Sequence, residues 1–158
     1  MNSFRFIDTI SDLKKDAALS ASFTLTGEEE FLKDHFSGFP VMPGVLLLES
    51  ARQAASLLSA YSSGFETPFF RLVRAEDVRF GHFVRPGASL AIRVTRAGSE
   101  GGASVFDARI DVSGEGSGKA LSARLFLAPV DFSEDQKKAA SDGARSLFGR
   151  LAAPARIA

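Results

Sequence analysis

The sequence predicts an α+β domain in which an antiparallel sheet wraps around one long central helix, and three observations predict it. Residues 45 to about 61 contain no glycine or proline, and Leu46, Leu47, Leu48, Ala51, Ala54, Ala55, Leu57 and Leu58 leave few polar positions. A helix that apolar is buried on most sides. Downstream the period falls to two: Leu90, Ile92 and Val94 form one series, Phe106, Ala108, Ile110 and Val112 a second, and Leu121, Ala123, Leu125 and Leu127 a third. Such alternation belongs to antiparallel strands with one face on a core. Glycine-rich AGSEGG (97–102) and SGEGSG (113–118) separate the series as hairpin turns.

The remaining elements follow in order. FRFIDTI (4–10) and AALSASFTLT (17–26) read as short strands on either side of a charged turn, SDLKKD (11–16). GEEEFLKDHF (27–36) reads as a polar helical turn, and PVMPG (40–44) as a stiff loop, because each proline turns the residue before it away from helix. FFRLVRAEDVRF (69–80) is a strand ahead of the meander. SGEGSG has neither a lysine nor a following helix, so it is a turn rather than a phosphate cradle. Past Pro129 the chain becomes polar, SEDQ (133–136) has capping-box form, and Leu147, Phe148 and Leu151 lie at helical spacing. The expected division is a domain over residues 1–130 and a helical tail over 131–158. The tail carries one or two short helices that pack on their own domain or a partner subunit, or dock another protein.

Composition narrows the function classes. A chain of 158 residues can bury a core within one fold. Its 19 basic and 19 acidic residues give no electrostatic footprint for nucleic acid. With no cysteine there is no disulfide framework, thiolate metal site or thiol nucleophile. The first residues lack a basic start followed by an apolar stretch, and no apolar run approaches the roughly 20 residues that span a bilayer. The expectation is a soluble, cytoplasmic protein without a membrane span.

The chemistry concentrates in DHFSGFPVMPGVLLLESARQ (34–53). Glu49 places a carboxylate in an apolar helix, where an unpaired charge is costly. Arg52 and Gln53, three and four residues on, can pair with it; a carboxylate facing a cleft is also a candidate general acid. His35 stands among Phe36, Phe39 and Met42, on a loop stiffened by Gly38, Pro40, Pro43 and Gly44. It reads either as a surface or capping residue or as a base held in a dry pocket. Gly44 brings an amide to the helix N-terminus, where free N–H groups favour an anionic oxygen. His82, in RFGHFVRPG, reads as structural or surface.

These residues carry a resemblance. HFSGFPVMPGVLLLESARQA (35–54) is similar to the active-site segment of FabZ-type (3R)-hydroxyacyl-acyl-carrier-protein dehydratases: His-Phe-Pro-Gly-x-Pro-x-x-Pro-Gly-Val-x-x-x-Glu, then a small-residue helix with a glutamine. The spacing matches without a gap. FRFIDTI resembles the N-terminal Phe-x-x-x-Asp strand of that family, and VRFGHFVRPGASLAIRV its Arg-Phe-x-x-x-Val-x-Pro-Gly segment; together the likeness covers about residues 4–128. It implies a hot-dog fold paired into a dimer, with the active site at the subunit interface and His35 facing Glu49 of the partner chain. It implies that His35 removes the C2 proton of a 3-hydroxyacyl thioester, Glu49 helps the 3-hydroxyl leave as water, and the Gly44 N–H polarises the thioester carbonyl. Val45, Phe36 and Pro43 fall at binding positions, and Gln53 matches the helix glutamine that supports the glutamate. No metal, flavin or nicotinamide is implied, since the acyl chain arrives on the phosphopantetheine of acyl carrier protein or on coenzyme A. The 15 phenylalanines supply side chains for an acyl channel, although core packing accounts for most.

Three positions depart from the pattern. Ser37 replaces a proline, Arg52 occupies a position that is usually small or apolar, and Ala88 replaces an acidic residue after Pro86-Gly87. The segment is also similar to dehydratases of specialised pathways that build aryl-polyene or polyketide-like chains. The leading expectation is therefore dehydration of a (3R)-3-hydroxyacyl thioester to a trans-2-enoyl thioester, in fatty-acid or specialised biosynthesis. Its partners would be acyl carrier protein and a second subunit, in a homodimer, a dimer-based higher oligomer or a heterodimer with a related chain. The alternatives are a hot-dog acyl thioesterase and a non-catalytic acyl-binding subunit in which Arg52 neutralises Glu49.

Overall fold

The computed structural model of the chain describes residues 5–33, 38–113, 118–152 and the backbone of 156–157. The strands are β1 (Thr9–Lys14), β2 (Ala18–Thr24), β3 (Phe70–Phe80), β4 (Ser89–Glu100), β5 (Ala103–Ser113), β6 (Gly118–Pro129) and the two-residue β7 (Arg156–Ile157). The helices are α1 (Gly44–Ser62), the longest element, and α2 (Glu134–Leu151), with a single 3₁₀ turn at Glu30–Leu32. One sheet runs β3-β6-β5-β4-β2-β1-β7; its pairs are antiparallel except β1 with β7.

The alternating series put one face of this sheet into the core. Leu90, Ile92 and Val94 of β4, Phe106, Ala108, Ile110 and Val112 of β5, and Leu121, Ala123, Leu125 and Leu127 of β6 are all buried. They share one cluster with Leu47, Ala51, Ala54, Ala55 and Leu58 of α1. The small residues on α1 let the sheet approach closely, and the helix is held against β2 through β6 as a filling inside a curved sheet, the hot-dog arrangement. Among the described residues no helix is long and apolar enough to cross a membrane.

Four expectations need correcting. The first strand is not at 4–10 followed by a turn at 11–16: β1 occupies Thr9–Lys14, most of the expected turn. A bulge between Ile10 and Asp12 brings both Ile10 and Leu13 onto the core face, a spacing of three that period-two reading misses. The turn itself follows, with Asp16 at φ 60°. The hairpin at 97–102 is shorter than expected, since β4 continues to Glu100 and only Gly101 and Gly102 turn, both in the left-handed region. The capping box at 133–136 is not formed: Ser133 is the N-cap of α2 but makes no side-chain cap bond. Finally, the tail holds one 18-residue helix rather than one or two short ones.

That helix packs on its own domain. Phe148 and Leu151 are buried in the main core. The Phe148 ring stacks on Tyr61 at the end of α1, with centroids 5.0 Å apart, and meets Phe65 edge-on at 5.6 Å. β3 is one edge of the sheet. Its pairing with β6 is broken by irregularities between Leu72 and Arg74 and between Glu76 and Arg79, where Asp77 takes φ 51°.

Candidate active site

The start of α1 positions the site. Pro43 is the N-cap and Gly44 the first helical residue. The first backbone N–H groups of a helix have no acceptor within it, so those of Gly44 and Val45 are free to meet an anionic oxygen. Leu46 and Leu47 already turn their N–H groups back to the Pro43 carbonyl, at 3.0 and 3.3 Å. The strap leading in is fixed by the Met42 N–H, which donates to the Val84 carbonyl at 2.8 Å, and by burial of Val41 and Met42. Gly44 has a steric reason to be glycine: a Cβ there would lie 2.9 Å from the Phe80 ring, which covers the helix start.

Glu49 lies one and a half turns further along α1. Its carboxylate is held by Arg52, whose Nε donates to Oε1 and Oε2 at 2.7 and 2.9 Å, with Nη2 2.6 Å from Oε1. Arg52 in turn donates from Nη1 to the Phe70 carbonyl at 2.9 Å, and its Cζ lies 4.8 Å from the centroid of the Phe69 ring. The pairing of Glu49 with Arg52 weighed from the sequence is therefore formed. Gln53, one residue on, accepts the Phe6 N–H on its Oε1 at 2.8 Å.

His35 and Phe36 lie outside the described residues, as does Ser37. His82 is exposed; its N–H donates to the Lys119 carbonyl at 2.9 Å and its ring lies over Gly118, a structural placement. Two residues of α1 escaped notice in the sequence. Ser50, fully buried, donates its hydroxyl to the Phe6 carbonyl at 2.8 Å, and Ser56 accepts the Phe70 N–H at 3.0 Å. Their signal was available, since a polar side chain in an apolar helix must find a partner.

Around the helix start Phe39, Val45, Phe80 and Phe83 are exposed apolar residues, with Phe39 and Phe83 edge to face at 6.2 Å and Arg85 over the Phe39 ring at 4.2 Å. On the other side of Arg52 a cavity of about 420 Å³ opens between α1 and α2. Arg5, Arg52, Gln53, Phe69, Phe132 and Leu147 are among its walls.

The sequence matches the FabA-like domain over residues 1–118. The chain belongs to the FabA-like family. Among curated relatives it is 32% identical over 114 residues to the 3-hydroxyacyl-(acyl-carrier-protein) dehydratase FabZ of Chromobacterium violaceum, covering 71% of this chain and 76% of that one. It is 38% identical over 89 residues to the FabZ of Levilactobacillus brevis, covering 56% of this chain and 60% of the relative's length. These matches bear out the FabZ-type resemblance. Among solved structures, the fold resembles the dehydratase heterocomplex ApeI:P of Xenorhabdus doucetiae, with a TM-score of 0.68 at 16% identity over 88% of this chain and 91% of that one. It also resembles the PaaI protein of E. coli, with a TM-score of 0.56 at 15% identity over 76% of this chain and 81% of that one. The hot-dog assignment stands on these likenesses together with the sheet order. The family match ends at residue 118, at the start of β6, and α2 lies beyond it.

Proposed function

We propose that the chain removes water from a (3R)-3-hydroxyacyl thioester carried on acyl carrier protein, giving a trans-2-enoyl thioester, in the cytoplasm. The observation that carries this is the ordered placement of the family's groups on α1, with Gly44 at the first helical position and Glu49 farther along the same helix. In this reading His35 takes the C2 proton while the N–H at Gly44, with Val45 beside it, stabilises the oxygen of the developing enolate. An α-proton is weakly acidic, so base and oxyanion donor must act together. Glu49 orients the departing 3-hydroxyl by accepting its hydrogen bond, and the proton that His35 took from C2 is returned to that hydroxyl, so that the C3–O bond breaks, water leaves and the C2=C3 double bond forms. Pro43 and Phe36 shape the entry, and the phosphopantetheine arm belongs to the substrate rather than to a resident cofactor. The site is completed by a second subunit docked along the edge strand β3, where Val73 and Phe80 are exposed. That subunit is another copy of this chain or a related one.

The Glu49–Arg52 pair is the observation that favours a second reading, a non-catalytic acyl-binding subunit whose carboxylate is neutralised. One experiment separates the two. Enoyl-thioester hydration and 3-hydroxyacyl-thioester dehydration are followed by ultraviolet absorbance and mass spectrometry for wild type, His35→Ala and Glu49→Ala, on carrier-linked and coenzyme A substrates. Sedimentation is run on the same samples. The proposal expects a dimer with turnover that either substitution removes. A folded dimer without turnover on any substrate supports the second reading, and a fully active monomer refutes the interface site.

A further inference from the structure

We infer that Arg52 is a positioning residue for Glu49, fixing the carboxylate's aim relative to strand β3 so that its free side faces the reacting hydroxyl. The inference rests on the dehydratase reading for what Glu49 touches, but its geometry is independent of that reading. Residues three apart on a helix pair readily, and most such pairs do nothing else. The chain supplies its own comparison: Lys33 and Glu30 have the same spacing, a single nitrogen 3.1 Å from the carboxylate, and side chains 67% and 77% exposed.

Arg52 differs in each respect. Its side chain is 13% exposed, and its fork addresses both carboxylate oxygens. Its remaining terminal nitrogen is fixed on the Phe70 carbonyl, and its plane lies by the Phe69 ring. Phe70 is itself held from the other side, because its N–H donates to Ser56 one turn along α1. The first residue of β3 is thus clamped by both its peptide groups to the helix that bears Glu49, and Arg52 is the member of the clamp that also grips the carboxylate. A carboxylate offers about four lone-pair directions. With one side occupied by the guanidinium, the other remains for a hydroxyl donor, in an orientation set by helix and strand rather than by a freely rotating side chain. Planar bidentate geometry is what lysine cannot reproduce.

The test compares wild type, Arg52→Ala and Arg52→Lys in the dehydration assay, well below the melting temperature of each. Misplacing a group that acts on the substrate can cost on the order of 100-fold in rate. Arg52→Ala is expected to lose roughly 10- to 100-fold in kcat with KM changed only a few-fold, and to recover part of the loss in millimolar methylguanidinium. Arg52→Lys is expected to fall between. A structural role would lower the melting temperature but give no split between kcat and KM and no rescue. Folded Arg52→Ala with wild-type kcat overturns the inference. The ¹³Cδ resonance of Glu49 provides a readout without turnover: it moves on Arg52→Ala if the guanidinium sits on the carboxylate, and an unmoved resonance overturns the inference even if no thioester is turned over. Absence of wild-type turnover with a moved resonance instead refutes the dehydratase reading and leaves the Arg52 clamp standing.

Discussion

Replacing Phe148 by alanine tests what holds α2 on the domain. The ring is 5% exposed, stacks on Tyr61, meets Phe65 edge-on and belongs to the main core. Truncating a buried phenylalanine to alanine costs about 3–5 kcal/mol, within which each aromatic pair accounts for about 0.5–1.5 kcal/mol. Phe148 and Leu151 are the buried residues of α2, so that loss removes much of what docks it. An undocked helix of this length is marginal in water. The expected result is therefore local: α2 leaves while the sheet and α1 stay folded. Native-state hydrogen exchange reads this directly. At about 1.4 kcal/mol per tenfold, protection of the α2 amides should fall by about 100-fold to about 4,000-fold, with the β5 amides little changed. Lys138→Ala, at a side chain 87% exposed on the same helix, should leave α2 protection close to wild type. If Phe148→Ala leaves α2 protection intact, or lowers it only in step with β5, the aromatic clamp is not what anchors this helix.

Two further outcomes follow from single contacts. Ser50→Ala strands the buried Phe6 carbonyl and should cost about 1–3 kcal/mol in urea unfolding; a loss below about 0.5 kcal/mol would contradict the role given to that hydroxyl. At Glu29 burial works to raise the carboxyl's pKa, but the N–H groups of Gly27 and Thr26 and the Thr26 hydroxyl outweigh it and hold it below the ordinary carboxylate value. A depressed folded value gives stability that is present above the unfolded pKa and lost as pH falls through the folded one. The stability difference between wild type and Glu29→Gln should therefore be full above the ordinary carboxylate pKa of about 4.3 and shrink as the pH falls below it in urea titrations, and a difference independent of pH would refute it.

The middle of the fold was legible because most burial there is on one face, with only Ala103, Val105 and Phe126, among the described residues, forming a small buried cluster apart from it. Over Leu90–Val94 of β4, Phe106–Val112 of β5 and Leu121–Leu127 of β6 the alternate residues lie in the core with α1, so the alternation in the sequence is the alternation in space. The helix was equally plain, from its missing breakers and its small residues. What escaped reading depends on irregularity or on distant partners. The bulge in β1 turns a period of two into a step of three between Ile10 and Leu13, which looks like a turn. The bonds from Ser50 and Gln53 to Phe6 join positions 44 and 47 residues apart, and spacing along one helix cannot reveal them. At the site, the motif located Gly44 and Glu49, and the i,i+3 spacing anticipated Arg52, but the anchoring of Arg52 on Phe69 and Phe70 needs the path of β3.

The broken edge of β3 also bears on which chains this protein can join. A long, regular, bare strand would accept almost any extended peptide and invite fibres. Here two irregularities interrupt the ladder, and Arg71, Arg74, Glu76, Asp77 and Arg79 crowd the strand with both signs of charge. In the proposed assembly a second chain that extends the sheet at β3 would have to match kinks and charges together, so the strand's defects would set which chains can join, and a substitution that straightened them would trade that selectivity for stickiness.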